Sequence, residues 1–256
     1  MHPRRIFINP EAHDGDRLQL RGQEAHYLLH VLRLRKGDEV SVFDGRGWAC
    51  RAEIAETWRG SATLRPLESR HAQRSPKAFT IAQAVLKAPA MDAAIQRCTE
   101  LGAAAIIGFY TARTVPRGGG TAGTDQKLAR WQKLAIEGCR QCRRDFLPEI
   151  KLLPGIEEIA ACIQEFDQAL LASLGKDSHP ISEILSPDRI RKTGNVLLIV
   201  GPEGDFSGGE LVRLLEAGAI PCRLSDAVLR AETAAAAGAA IIGQHLMTAA
   251  TPGEKR

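Results

Sequence analysis

From Phe79 onward, short apolar runs alternate with segments of helical periodicity, and this alternation constrains the fold more than any other feature of the chain. "FTIAQAVL", "AAIIGFY", "EIKLL", "QALLAS", "NVLLIV" and "CRLS" read as strands. "MDAAIQRCTELG", stopped by Gly102, reads as a helix, as do "TDQKLARWQKLAIEGCRQC", "IEEIAACIQEF", "GGELVRLLEAG" and "ETAAAAGAAIIGQHLM". Apolar strands separated by helices imply an α/β fold with a mostly parallel sheet, covered on both faces.

The first 70 residues follow a different pattern. "RRIFIN", "RLQLRG", "EVSVFDG", "WACRAEIAE" and "SATLRPLE" are short β segments punctuated by turn residues such as Lys36-Gly37-Asp38, Asp44-Gly45 and Arg59-Gly60. Only "EAHYLLHVLRL" has helical spacing. A small β-barrel with one helix is expected, with a boundary in "SRHAQRSPK". The domains are therefore read as 1–72 and 73–256. Charge separates the same two regions: residues 1–77 carry 14 Lys and Arg against 10 Asp and Glu, whereas residues 78–256 balance at 20 each. A basic first module ahead of a neutral second one points to a polyanion-binding segment.

No run approaches the ~18 apolar residues of a membrane span. The start, "MHPRRIFINPEAHDGD", lacks the apolar core of a signal peptide, so a cytosolic protein is expected. The six cysteines are scattered, which fits reduced thiols better than a disulfide framework. Cys139 and Cys142 form a C-x-x-C, but on a helical pattern with no second ligand pair, so they read as neighbours on a helix. His26 and His30 are spaced i,i+4 without a third ligand, and no metal is expected. "GGGTAG" (118–123) matches G-x-G-x-x-G, yet "TARTVPR" separates it from the preceding strand; a flexible loop is the expected reading.

The end of "NVLLIV" carries the most informative turn, "GPEGD", followed by "FSGGEL". Ser207 and Glu210 form a capping box, with Phe206 and Leu211 placed as a hydrophobic staple. Gly201 and Gly204 either make a tight strand–helix turn or expose backbone groups to a ligand. A second loop, "LSDAVLRAET", also follows a strand, and ligands of parallel α/β sheets lie beyond the carboxyl ends of strands. Its apolar Val228 and Leu229, beside Arg230, Glu232 and Thr233, suit a flat purine on a neutral or cationic ligand better than a triphosphate. The small residues of the last helix imply close packing, on a helix of the same chain or across a dimer.

"LLIVGPEGDFSGGEL" followed by "LSDAVLRAETAAAA" resembles the carboxyl-terminal signature of the SPOUT methyltransferases. Within them the chain resembles the RsmE family, which methylates N3 of a uridine in 16S ribosomal RNA. "RRIFIN", "EAHYLLHVLRLRKGDEVSVFDGRG" and "CRAEI" resemble that family's PUA-like barrel, and "IQRCTELG" with "WQKLAIEGCRQCRRDFLPEI" follow its middle region. The resemblance implies a trefoil-knotted α/β domain behind an RNA-binding PUA-like barrel, and a homodimer acting on 16S rRNA within the small ribosomal subunit. It also implies S-adenosylmethionine held by backbone groups of three loops. Here these are Leu171, then Gly201, Pro202, Glu203 and Gly204, then Leu224, Ser225, Val228 and Leu229, with Thr233 beyond. The chain departs from the family pattern at Asp205, where glycine is usual, and at Ser225-Asp226-Ala227, Thr111-Ala112-Arg113-Thr114 and Gln141-Cys142-Arg143-Arg144.

The sulfonium methyl is already activated, so such an enzyme works by positioning and charge management. Arg230 is the candidate catalytic residue, placed to meet the negative charge that develops as uridine N3 loses its proton. The bland alternative is an arginine tying two loops together through carboxylates. Glu203 and Glu232 serve as base or orienter, or simply favour a helix dipole. For RNA phosphates the candidates are His26, Arg33, Arg35 and Lys36, then Arg4, Arg5, Arg46, Arg113, Arg143 and Arg144; the alternative is a solvated basic face. Two further readings are methylation of another RNA or of a ribose 2′-hydroxyl, and a non-catalytic RNA-binding assembly factor.

Overall fold

The computed structural model describes residues 4–14, 17–114, 121–185 and 194–248. The chain divides into two compact units, one formed by the described residues up to Arg74 together with Ile136–Leu147, the other by Ser75–Ala135 and the chain from Pro148.

The first unit is a six-stranded sheet. Its strands are β1 (Arg4–Phe7), β2 (His13–Asp14), β3 (Arg17–Arg21), β4 (Glu39–Phe43), β5 (Trp48–Trp58) and β6 (Ser61–His71), in the order β1-β4-β5-β6-β3-β2. Only β1 and β4 pair in parallel; the other neighbours are antiparallel. Alternating residues turn inward, so Ile6, Leu18, Leu20, Val40, Val42, Ile54 and Leu64 form one core. Helix α1 (Gly22–His26) continues as a π-helical turn over Tyr27–Val31. It buries Ala25 and Leu28 against that core and leaves His26 and His30 exposed. Residues 145–147 belong to this unit because they line up beside the turn at 45–47. Leu147 N–H donates to the Gly45 carbonyl at 2.9 Å and Gly47 N–H to that of Asp145 at 3.1 Å.

The second unit is a seven-stranded, wholly parallel sheet. Its strands are β7 (Ala78–Ala84), β8 (Ala105–Phe109), β9 (Glu149–Leu153), β10 (Gln168–Ala172), β11 (His179–Pro180), β12 (Asn195–Val200) and β13 (Ile220–Arg223). Their order is β11-β13-β10-β12-β7-β8-β9. The helices are α2 (Ala88–Glu100), α3 (Thr121–Cys142, of which the part from Ile136 belongs to the first unit), α4 (Ile156–Cys162), α5 (Ile181–Ile184), α6 (Gly208–Glu216) and α7 (Ala231–Thr248). The residues of β12 show why its sequence is continuously apolar. Val196, Leu198 and Val200 join the core that includes residues of α2 and α7, while Leu197 and Ile199 join the core that includes residues of α4 and α6.

The small residues of α7 are used within the chain. A Cβ on Gly238 would lie 2.2 Å from Leu198 Cδ2, so the helix can approach β12 only without one. Gly102, at φ 104°, stops α2 as a left-handed residue after the last turn. Three features escape a periodicity reading: the two-residue β11, the four-residue α5, and the start of α3 at Thr121 rather than Thr124. Most of the glycine-rich stretch before that helix lies outside the described residues. Among the described helices none is long and apolar enough to cross a membrane.

Candidate functional site

Strand order decides which loops meet. β10 lies between β13 and β12, and the registers Leu171↔Ile199 and Ala172↔Cys222 bring their carboxyl ends level. The loops after these three strands therefore emerge side by side. Leu171 itself is fully buried in the core, so only its backbone faces this edge. Beyond it, Ser173 N–H donates to the Cys222 carbonyl at 2.9 Å, tying the β10 loop to β13.

The turn after β12 is fixed from several directions. Pro202 is buried and its carbonyl accepts from Asp205 N–H at 3.0 Å. Asp205 takes the left-handed conformation at φ 62° in the place where the resembled family has glycine. Its own Oδ1 accepts from Phe206 N–H at 2.8 Å, which offsets the strain. Ser207 caps α6 with a complete capping box: its hydroxyl accepts from Glu210 N–H, and Glu210 Oε2 accepts from Ser207 N–H at 2.8 Å. The other oxygen of Glu210 accepts from Ala112 N–H at 2.7 Å, and Arg113 donates to the Gly204 carbonyl. Burial pushes the Glu210 carboxyl up, but the N–H groups of Ala112 and Ser207, with Arg113 nearby, outweigh it and hold it below the usual glutamate value.

The glycines of this turn have a local reason as well. A Cβ on Gly201 would lie 3.0 Å from the Phe206 ring, which stacks on Phe109 with centroids 6.4 Å apart. Gly201 thus admits Phe206, which is the tight-turn alternative given a contact. Glu203 and Gly204 are exposed. Beneath the turn, buried Gln83 donates from Nε2 to the carbonyls of Ala84, Val200 and Gly201 at 3.1–3.4 Å, while its Oε1 is buried without a partner.

The loop after β13 is held more lightly. Ser225 Oγ accepts from Ala227 N–H at 3.1 Å, and Arg223 approaches Asp226 at 3.5 Å. Leu224 and Leu229 are half-buried, while Val228 is 85% exposed. Leu174, in the neighbouring loop after β10, is 51% exposed. Two large apolar side chains on adjacent loops thus lack protein cover. The Arg230 carbonyl caps α7, accepting from Thr233 and Ala234 N–H groups. Its side chain is exposed and forms no ion pair among the described residues, so the loop-tying alternative has no carboxylate there. Thr233 is exposed and Glu232 half-buried in the first turn of α7.

The basic residues of the first unit separate into two kinds. Arg4, Arg33, Arg35, Lys36 and Arg46 are exposed, Arg33 in the left-handed conformation at φ 55°. His26 and His30 are also exposed, with ring centroids 4.8 Å apart. Arg5 is used internally: its side chain is 8% exposed, pairs with Asp145 and lies over the Phe43 ring. Arg144 is half-buried, and burial lowers its pKa. Cys139 is buried against Phe43 and Ala49, and its thiol is pushed up by a hydrogen bond with Cys142 and by burial. Among the described residues no three His, Cys, Asp or Glu side chains cluster as metal ligands.

Comparison with known proteins bears on both units. Residues 73–243 match the RNA methyltransferase domain family, and residues 20–67 match the RNA methyltransferase PUA domain. The ribosomal RNA small subunit methyltransferase E of Synechocystis is 31% identical over 242 residues, 90% of this chain and 74% of that protein. Its counterpart from Mycobacterium bovis is 30% identical over 222 residues, 87% of this chain and 84% of that one. The chain belongs to the ribosomal RNA small subunit methyltransferase E family. A member from Neisseria gonorrhoeae, solved bound to S-adenosyl methionine, is 26% identical, covers 95% of this chain and 98% of its own, and superposes with a TM-score of 0.81. The parallel α/β sheet and the preceding PUA-like curled sheet agree with the fold class that the motifs imply.

The structure brings the turn at 201–204 and the loop at 224–229, both expected from the sequence, to one sheet edge. It adds Leu174 beside them, Gln83 beneath the turn, and the docking of Ala112 and Arg113 on the turn, none of which the sequence pattern indicates. Arg113, grouped with RNA-facing residues on sequence, spends a donor on the Gly204 carbonyl. In the sequence that segment stands out by its departure from the family pattern at 111–114 and by the charge of Arg113.

Proposed function

We propose that the chain transfers the methyl group of S-adenosylmethionine to N3 of one uridine near the 3′ end, in the decoding region, of 16S rRNA in the small ribosomal subunit. It acts in the cytoplasm as a homodimer, with residues 1–72 as RNA-binding module and 73–256 as the methyltransferase domain. The path of that domain forms a trefoil knot, a reading supported by β13 lying beyond β10 while α7 returns to pack on β12 and β7. The observation that carries the functional reading is the level edge of β13, β10 and β12, where this family member gathers three loops.

The residues at that edge fit an adenosyl group. Val228 and Leu174 offer uncovered apolar surface, the turn at 201–204 offers backbone polar groups, and Glu203 offers an exposed carboxylate suited to a cationic ligand. When bound, S-adenosylmethionine supplies an activated methyl on a sulfonium. Leu171, Gly201, Pro202, Glu203, Gly204, Leu224, Ser225, Val228, Leu229 and Thr233 hold it, largely through backbone groups. Arg230, unpaired among the described residues, meets the charge that builds on O2 and O4 as the N3 proton leaves. Glu203 and Glu232 are the carboxylates available to receive that proton. The pairing edge of the base must be free, so the target uridine is unpaired or flipped.

The test is incubation with labelled S-adenosylmethionine and small subunits lacking their uridine-N3 methyl, followed by mass spectrometry of the digested RNA. One N3-methyluridine near the 3′ end of 16S rRNA is expected. A methyl on a ribose, or cofactor binding with no transfer, would replace this reading with a different target or a binding role.

A further inference from the structure

The first unit contains a groove of about 660 Å³ whose lining includes Arg4, Arg5, Arg70, Arg140 and Arg143 with Glu137 as its one acid. Five guanidiniums in one groove would repel one another, and two carboxylates, buried Asp145 and half-buried Glu24, reduce that cost. Asp145 receives both Arg5 and Arg70, the latter at 2.7 Å, while Glu24 receives Arg140, whose guanidinium also lies over the Tyr27 ring. Such pairing holds the arginines in fixed orientation before any ligand arrives. It does not use all their donors. The Nε groups of Arg5 and Arg140 are buried without a hydrogen-bond partner. Both Nε atoms are enclosed by protein, so their unmade bonds are a cost of gathering the arginines here and not contacts open to a ligand.

A second observation is independent of these donors. Arg143 follows the last residue of α3 in the left-handed conformation, at φ 63°. Glycine is the relaxed residue at such a place, and an arginine there bears backbone strain. It is exposed and forms no ion pair among the described residues, as does Arg4. The chain therefore accepts strain at a helix end to add one more free cation to the groove, a pattern typical of functional positions.

We infer that this groove grips the sugar–phosphate backbone of the RNA substrate, with Arg4 and Arg143 as direct phosphate contacts, exposed Arg70 beside them, and the paired Arg5 and Arg140 adding positive charge from beneath. The inference rests on the RNA methyltransferase reading and adds the part of the barrel unit that holds the strand. The groove is larger than one inorganic phosphate needs, and its planar forks suit repeated phosphate oxygens rather than a base edge.

The test uses Arg143→Gly and Arg4→Ala in the full chain, with fluorescence-anisotropy titrations of a 16S-derived single-stranded RNA at several salt concentrations. Arg143→Gly relieves the left-handed residue, so it should melt at or above the wild-type temperature, which separates binding from folding. Each variant should bind RNA several-fold more weakly whatever its sequence, and the slope of log K against log salt should shrink by about 0.7 per lost contact. S-adenosylmethionine affinity, measured by calorimetry, should stay at the wild-type value. Wild-type RNA affinity and salt slope in both variants would overturn the groove while leaving the methyltransferase reading intact. Failure of the wild-type protein itself to bind or methylate any ribosomal RNA would sink both.

Discussion

The turn at 201–205 and the loop at 224–230 leave the same edge of one sheet, yet they are held in opposite ways. The turn is fastened along its length. Asp205 bonds back to its own neighbour, Phe206 fills the space left by Gly201, Glu210 receives N–H groups from two segments, and Arg113 holds Gly204. The loop is fastened mainly at its ends, by Leu224 near α7 and by Arg230 capping that helix, with Val228 projecting between. The difference suits the division of work that the proposed S-adenosylmethionine site would need. One side is held rigid by the protein itself, and the other presents apolar surface that the described residues leave uncovered. Substitutions in the turn should therefore register in stability, and those in the loop in binding alone.

The largest effect should come from the support both segments share. In Gly238→Ala the new Cβ would meet Cδ2 of fully buried Leu198 at 2.2 Å, so that side chain would have to shift within the core. Overpacking of this kind costs about 1–3 kcal/mol. Thermal melting should show the loss, and S-adenosylmethionine affinity should fall with it because α7 anchors the end of the loop. A variant as stable as wild type would mean that α7 can shift on β12 without consequence.

Gly201→Ala should come next, at about 1 kcal/mol, from a methyl 3.0 Å from the Phe206 ring. In a Phe206→Leu background that cost should shrink, since neighbouring substitutions couple. Unchanged cost in the double variant would assign Gly201 to some other contact, the ligand included.

How much of this was readable beforehand depends on the range of the interaction. The capping box of Ser207 and Glu210, the glycine stop after α2 and the apolar strands are local patterns, and each is present in the structure. Contacts between distant segments left no such trace. Glu210 shows as a capping residue, but nothing near it in sequence indicates that its second oxygen holds Ala112. Arg113 reads as a surface cation until β8 and β12 bring it to Gly204. Gln83 sits in an apolar strand with no mark that it joins β7 to the end of β12. The groove was partly legible as basic charge, but Asp145 and Glu24 lie far in sequence from the arginines they pair with, Arg5 and Arg70 for the first and Arg140 for the second. Short elements such as α5 are too brief for periodicity to register.

Glu210→Gln tests the rigid turn more gently. It keeps the side-chain shape while removing the charge that favours its N–H partners, and half-exposed groups of this type contribute up to about 1 kcal/mol. The folded-state pKa of Glu210 lies below its ordinary value of 4.5, so its contribution is fully present above that pH. It is lost as pH falls through the lower folded value. The stability gap between wild type and Glu210→Gln, followed by denaturant melts across the acid range, should narrow toward low pH. A gap that widens in acid would contradict the assigned hydrogen bonds.

Val228→Ser should have the smallest effect on the free protein and so makes the sharpest contrast with the turn. At 85% exposure the side chain has almost no packing to lose, and the stability without ligand should stay within about 0.5 kcal/mol of wild type. If an adenosyl group covers it, the change should weaken S-adenosylmethionine several-fold, up to about tenfold if the whole apolar side chain becomes buried on binding. Calorimetry on the same sample as the melt separates the two quantities. Equal affinity in wild type and variant would place the ligand away from this loop, and a lower melting temperature without ligand would mean that Val228 supports the fold, erasing the contrast between the two segments.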